Sequence, residues 1–187
     1  MSNTAEEDQK VQKEGAFDLL EGAVSSVSSI LHEIRDQQSR AADHSLPLET
    51  RLQAFEDIFE SEVGDTTLSR ARNIEREVGV RQLYLKFEGG NPTGTQKDRI
   101  AFAQVLDALR RGYDSITMAT CGNYGVAMAF AASIAGLGCR IYIPDKYHTK
   151  RMQEMERLGA RIFRTPGDYE ESVKESSKAA AEKDYYD

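Results

Sequence analysis

Ile116-Thr117-Met118-Ala119-Thr120-Cys121-Gly122-Asn123-Tyr124-Gly125 decides how this chain is read. A short apolar run, Ile116 to Ala119, runs into a polar turn. Asn123 to Ala135 then reads as a helix of small residues that stops at Gly136 and Gly138. The 22 residues from Thr117 to Gly138 carry no formal charge. Much of that stretch is Ala or Gly around a polar centre, so its hydrophobicity is too low for a membrane span. A buried strand, a turn and a tightly packed helix fit it better.

The same alternation extends on both sides. Leu83-Tyr84-Leu85-Lys86-Phe87 reads as a strand ending at Gly89-Gly90-Asn91-Pro92. Between Lys97 and Arg111, Ile100, Phe102, Ala103, Val105, Leu106 and Leu109 recur at helical spacing, stopped by Gly112. Downstream, Arg140–Ile143 is a strand closed by Pro144, Lys150–Leu158 a helix with Gly159 after it, Arg161–Arg164 a strand, and Tyr169–Lys183 a polar helix. Strands separated by helices predict an α/β fold, a parallel sheet with helices on both faces. Ligands of such sheets collect beyond the carboxyl ends of the strands.

Upstream, residues 1–14 are polar and charged and are expected to form a disordered arm. Residues 15–60 are expected to form a helical extension. There Phe17, Leu20, Val24, Val27, Leu31 and Ile34 make an apolar stripe that either docks on the body or pairs with a second copy, and Leu52, Phe55, Ile58 and Phe59 mark a second short helix after Pro47. Residues 61–187 form the α/β domain. The chain of 187 residues has a net charge of −7, with 10 acids and 4 bases in its first fifty residues, so the body is nearly neutral. Without a basic stripe it is not expected to bind nucleic acid. Cys121 and Cys139 give no disulfide framework, and no signal peptide is legible, so the expected location is the cytoplasm. His32, His44 and His148 have no ligand spacing, and no metal site is expected.

Two loops carry the chemistry. Glu88–Gln96 leads into Lys97, a lysine at a helix N-terminus, where the macrodipole disfavours an ammonium and so lowers the cost of a neutral amine; burial would lower its pKa further. A neutral amine is what a Schiff-base lysine needs. The alternative is a solvated lysine in a turn, with Asp98 and Arg99 in surface pairs. In the second loop, Thr120–Gly125, backbone amides at a strand-to-helix junction can bind an anion, and Gly122 and Gly125 let a ligand approach closely. The alternative is an ordinary βα turn with Asn123 as N-cap.

Taken together, Lys86-Phe87-Glu88-Gly89-Gly90-Asn91-Pro92-Thr93-Gly94-Thr95-Gln96-Lys97-Asp98-Arg99 closely resembles the cofactor-lysine motif of threonine synthase, one of the fold-type II pyridoxal-phosphate (PLP) enzymes. Thr120–Gly125 resembles the Ser/Thr-Ser-Gly-Asn-x-Gly loop of that family, and Gly64-Asp65-Thr66-Thr67-Leu68 its Gly-Asn-Thr-Pro-Leu segment. The resemblance implies a PLP-dependent enzyme that eliminates or replaces a β- or γ-substituent of a small-molecule amino-acid substrate, with O-phosphohomoserine to threonine as the reaction. Cysteine-synthase-like and dehydratase-like reactions, or a non-catalytic subunit, are the alternatives. It implies Lys97 as the Schiff-base lysine and proton-transfer base, and Asn123 as the donor to the cofactor's 3′ oxygen. Thr120, Cys121, Gly122 and Tyr124 would surround the substrate carboxylate. Cys121 replaces the usual serine and is read as a small buried residue; Gln96 stands where threonine synthases usually have an aromatic. The phosphate loop of the family lies in a C-terminal half that these residues do not contain. The chain is therefore expected to be an N-terminal half that works as a homodimer or with a complementing C-terminal half. Its end, Asp184-Tyr185-Tyr186-Asp187, is read as following a helix without a cap.

Overall fold

The computed structural model describes residues 33–187. The chain divides into two compact units, residues 1–36 and 37–187. Residues 33–36 of the first are helical, as are residues 37–42 of the second. The expected arm 1–14, the stripe from Phe17 to Leu31, and His32 lie outside the described residues.

The second unit is built on three parallel strands, β3 (Ser115–Ala119), β4 (Gly138–Pro144) and β5 (Arg161–Thr165), in that spatial order, with Ile116 opposite Cys139 and Ile141 opposite Ile162. Before them come α1 (Leu48–Glu62), β1 (Leu68–Arg70), α2 (Arg72–Val78), β2 (Tyr84–Lys86) and α3 (Lys97–Arg110); between and after them lie α4 (Asn123–Ala135), α5 (Met152–Arg157) and α6 (Tyr169–Lys183). On one face of the sheet, Thr117 Oγ1 lies 3.1 Å from Ser176 Oγ of α6. Strand alternation turns Ile116 and Met118 to the other face, toward α3 and α4. Helices on both faces are therefore observed. In α4, Ala127, Ala129, Ala131, Ala132 and Ala135 are fully buried. Such short side chains let the helix lie close to both β4 and α3. Phe102 of α3 stacks on Phe55 of α1 at 5.4 Å and meets Phe59 at 5.6 Å and Phe130 at 6.0 Å, which seats α1 on the core.

Two expectations need correction. The strand near Leu83–Phe87 is not in the parallel sheet: β2 pairs antiparallel with β1, Ser69 opposite Leu85, as a separate ribbon with Leu68, Tyr84 and Leu85 exposed. The chain also does not end on an uncapped helix. Asp184 takes the left-handed conformation (φ 55°), Tyr185 N–H closes on Ala180 O, and Tyr186 bridges the free edge of β3 in parallel, donating to Ser115 O at 2.9 Å. Among the described residues, no helix is long and apolar enough to cross a membrane.

Candidate functional site

The lysine loop is held by three anchors. Glu88 forms a two-pronged ion pair with Arg99 (Nε–Oε2 2.8 Å, Nη2–Oε1 3.0 Å) and also accepts from Asn91 Nδ2 and Thr66 Oγ1. Those donors, Arg99 first, hold the Glu88 carboxyl at about 2, well below its usual range. Asn91 Oδ1 accepts Gly64 N–H at 3.0 Å, and Arg99 Nη2 donates to Gly64 O at 3.1 Å, so the distant 64–68 segment is tied to the lysine loop. Gly64 has φ +100°, and a Cβ there would sit 2.7 Å from Arg99 Nη1, so only glycine fits. The third anchor is Asp98, fully buried, which accepts Thr93 N–H at 2.9 Å and Thr93 Oγ1–H at 2.7 Å. Asp98 thus closes the loop from inside; it does not form the surface pair considered from sequence.

Lys97 is the first residue of α3 and its side chain is exposed, with no hydrogen bond or ion pair among the described residues. Its backbone N–H is held by Thr95 Oγ1 at 3.2 Å. The side chain is solvated, as in the alternative reading of this lysine, because no element within residues 33–187 covers it. Gly94, three residues upstream, has open space on its Cβ side.

The second loop crosses from β3 to α4. Gly122 takes the N-cap position and Asn123 is the first helical residue, which corrects the N-cap reading of Asn123. A Cβ on Gly122 would meet nothing within 4 Å, so the first turn of α4 opens onto free space. Gly125 differs: a Cβ there would lie 2.8 Å from Met155 Cε, so this glycine admits α5, not a ligand. Thr120 is buried, with its N–H on Tyr142 O. The Tyr124 hydroxyl donates to Gln104 Oε1 of α3. Cys121 is half-buried, not buried as expected. It lines a cavity of about 570 Å³ with Tyr147, Tyr169, Asp168 and Lys146. Cys139 is the buried thiol, pushed up to about 12 by that burial.

Sequence reasoning missed Arg151. Its Nη1 donates to Asn123 Oδ1 at 2.6 Å, while its Nε and Nη2 grip Glu154 at 2.9 and 3.0 Å, and its charge also acts on Asp98 beside Lys97. The signal was available: Arg151, like Lys97, is a cation at a helix N-terminus, an unfavourable place that calls for a reason. Arg151 thus ties the first residue of α4 to the start of α5. The donors present fit a cofactor that offers an aldehyde and a phenolic oxygen: a primary amine, an amide whose oxygen is already taken, and a first helical turn with unfilled space before it.

A parallel α/β sheet with an exposed lysine and a helix N-terminus beside its carboxyl edge offers the place where ligands of such sheets bind. The profile of the family described as pyridoxal-phosphate dependent enzyme matches residues 59–187, and the chain belongs to that family. It is 37 % identical over 109 residues to a cystathionine beta-synthase of Apis mellifera, covering 56 % of this chain and 22 % of that protein. To a threonine synthase of Methanocaldococcus jannaschii it is 31 % identical over 124 residues, covering 66 % of this chain and 31 % of that protein. Among solved structures, a pyridoxal 5'-phosphate-dependent aspartate racemase superposes with a TM-score of 0.62 at 25 % identity, over 72 % of this chain and 43 % of that one. The chain thus spans a third or less of the length of these two curated relatives.

Proposed function

We propose that this chain is the lysine-bearing part of a PLP-dependent lyase or synthase that eliminates or replaces a β- or γ-substituent of an amino acid, with O-phosphohomoserine to threonine as the reaction. The observation that carries the reading is the arrival of Lys97 and Asn123 at one edge of the sheet, each at the start of a long helix. Lys97 Nζ would supply the primary amine that holds the cofactor. PLP, when bound, supplies the electron sink that makes the substrate's α-proton acidic. Lys97 Nζ would be the base that takes that proton. Asn123 Nδ2 would donate to the cofactor's 3′ oxygen. The first-turn amides of α4, in front of Gly122, hold the substrate carboxylate.

The Lys86–Arg99 motif and the threonine synthase relative support the phosphohomoserine reaction. The cystathionine beta-synthase relative supports a second reading, β-replacement on a serine-type substrate. The reading includes a homodimer or a complementing C-terminal half as the working assembly.

The test is to titrate the purified chain with PLP, follow visible absorption, fix with borohydride and map the labelled peptide. A new band with label confined to Lys97, lost in Lys97→Ala, supports the reading, and turnover of O-phosphohomoserine against O-acetylserine then separates the two reactions. Label scattered over surface lysines overturns the assignment of a cofactor site to this chain.

A further inference from the structure

We infer that Arg151 is a positioning residue that fixes which end of the Asn123 amide faces the opening before α4. A guanidinium has donors only, so an amide in contact with it must present its oxygen. The 2.6 Å contact from Arg151 Nη1 to Asn123 Oδ1 therefore excludes the flipped amide, in which two N–H donors would face the cation. Arg151 itself is not free to drift. Glu154 occupies Nε and Nη2 as a fork at 2.9 and 3.0 Å and leaves Nη1 directed at Asn123. Arg151 is about a quarter exposed, and Glu154 about half. The relay Glu154–Arg151–Asn123 thus presents Nδ2 and its two hydrogens on the side away from Arg151, and the nearby cation polarises the amide into a stronger donor.

The chemical consequence is selectivity for a ligand atom that accepts. An unanchored asparagine can turn either end to a ligand, whereas this one offers only N–H, matching an anionic or phenolic oxygen and rejecting a donor. This inference rests on the proposed cofactor site for the identity of that oxygen, but the anchoring holds without it. Arg151 touches no reacting atom in this account; it acts through Asn123.

The experiment reads the side-chain amide of Asn123 in the full, nitrogen-15-labelled chain without cofactor, assigned by its loss in Asn123→Asp. Expected in the wild type is one well-dispersed pair of amide protons. In Arg151→Gln the pair moves to the position of a freely turning asparagine, Arg151→Lys restores part of the dispersion, and Glu154→Gln falls between. Backbone resonances beyond this corner and the thermal midpoint stay unchanged, which a merely structural role would not allow. Should Arg151→Gln fail to fold, Arg151→Lys and Glu154→Gln carry the test. An Asn123 pair indifferent to all three substitutions overturns the inference. With PLP added, Arg151→Gln is expected to bind about tenfold more weakly, as Asn123→Ala does, with no further loss in the double variant. A shifted amide pair in a chain that takes up no PLP would sustain the anchoring and count against the cofactor reading alone.

Discussion

Asp98 offers the sharpest test of how the lysine loop is held. It is fully buried, and its carboxyl oxygens accept the Thr93 N–H at 2.9 Å and the Thr93 hydroxyl at 2.7 Å. It also sits in the first turn of α3, where negative charge is favoured. In Asp98→Asn one oxygen still accepts from Thr93 N–H, and the new amide donates to Thr93 Oγ1 once the hydroxyl turns. The loss is then limited to charge assistance and the dipole, about 1 kcal/mol. Asp98→Ala strands the Thr93 N–H and hydroxyl and leaves a void, together about 3 kcal/mol. For a chain of this size each kcal/mol moves the thermal midpoint by roughly 2–4 °C, so Ala should lower it by about 6–12 °C and Asn by about a third of that. Thermal and urea unfolding followed by far-ultraviolet circular dichroism at neutral pH measure both. Because Asp98 adjoins Lys97, borohydride labelling of Lys97 should fall in the Ala variant and persist in the Asn variant. Equal losses for Asn and Ala, or an Ala variant within about 0.5 kcal/mol of wild type, would refute the claim that these two hydrogen bonds close the loop.

Glu88 is held at about 2 in the folded chain, against 4.5 for a free glutamate, so its contribution is complete above 4.5 and disappears as pH falls toward 2. Glu88→Gln should lower stability at pH 7 and flatten that acid limb, read as a smaller difference in urea midpoint between about pH 5 and pH 3. Arg51, buried in α1, donates to Ala41 O at 3.1 Å and to Ala135 O at 2.9 Å; Arg51→Ala should cost about 3 kcal/mol by denaturant unfolding and speed amide exchange at residues 41–46. Phe102→Ala removes the ring shared by Phe55, Phe59 and Phe130 and should cost about 3–5 kcal/mol, measured the same way.

What was legible in the sequence follows from where local signals agree with tertiary demand. The helices Asn123–Ala135 and Tyr169–Lys183 were read at their observed bounds. Gly122 and Gly136 flank the first, and Asp168, whose side chain caps Glu171 N–H, marks the start of the second. The buried strands were found because apolar runs flanked by turns have few other uses. The β1–β2 ribbon was misread because β1 is Leu-Ser-Arg, three residues without periodicity, whose partner lies beyond an unrecognised helix. Antiparallel pairing there is decided by tertiary contact: Lys86 Nζ on Thr66 O at 2.7 Å, and Arg70 on Glu75 at 2.8 Å. The positions of the two site loops were legible. Of their anchors only Arg151 left a signal, its place at a helix N-terminus, because Asp98 and Glu88 look like ordinary surface charges until the partners that face them are known.

The anchors share one logic. Glu88 with Arg99 and Asp98 with Thr93 hold the frame around Lys97 without touching its amine, and Arg151 with Asn123 holds the start of α4. The backbone next to that amine is fixed by Thr95 and Asp98, so the side chain swings from a rigid base. Desolvation by residues 33–187 does not prepare the amine, since it stands exposed. Under the proposed role of Lys97, borohydride capture at that residue over the other surface lysines reports how far this fixed frame singles out its amine.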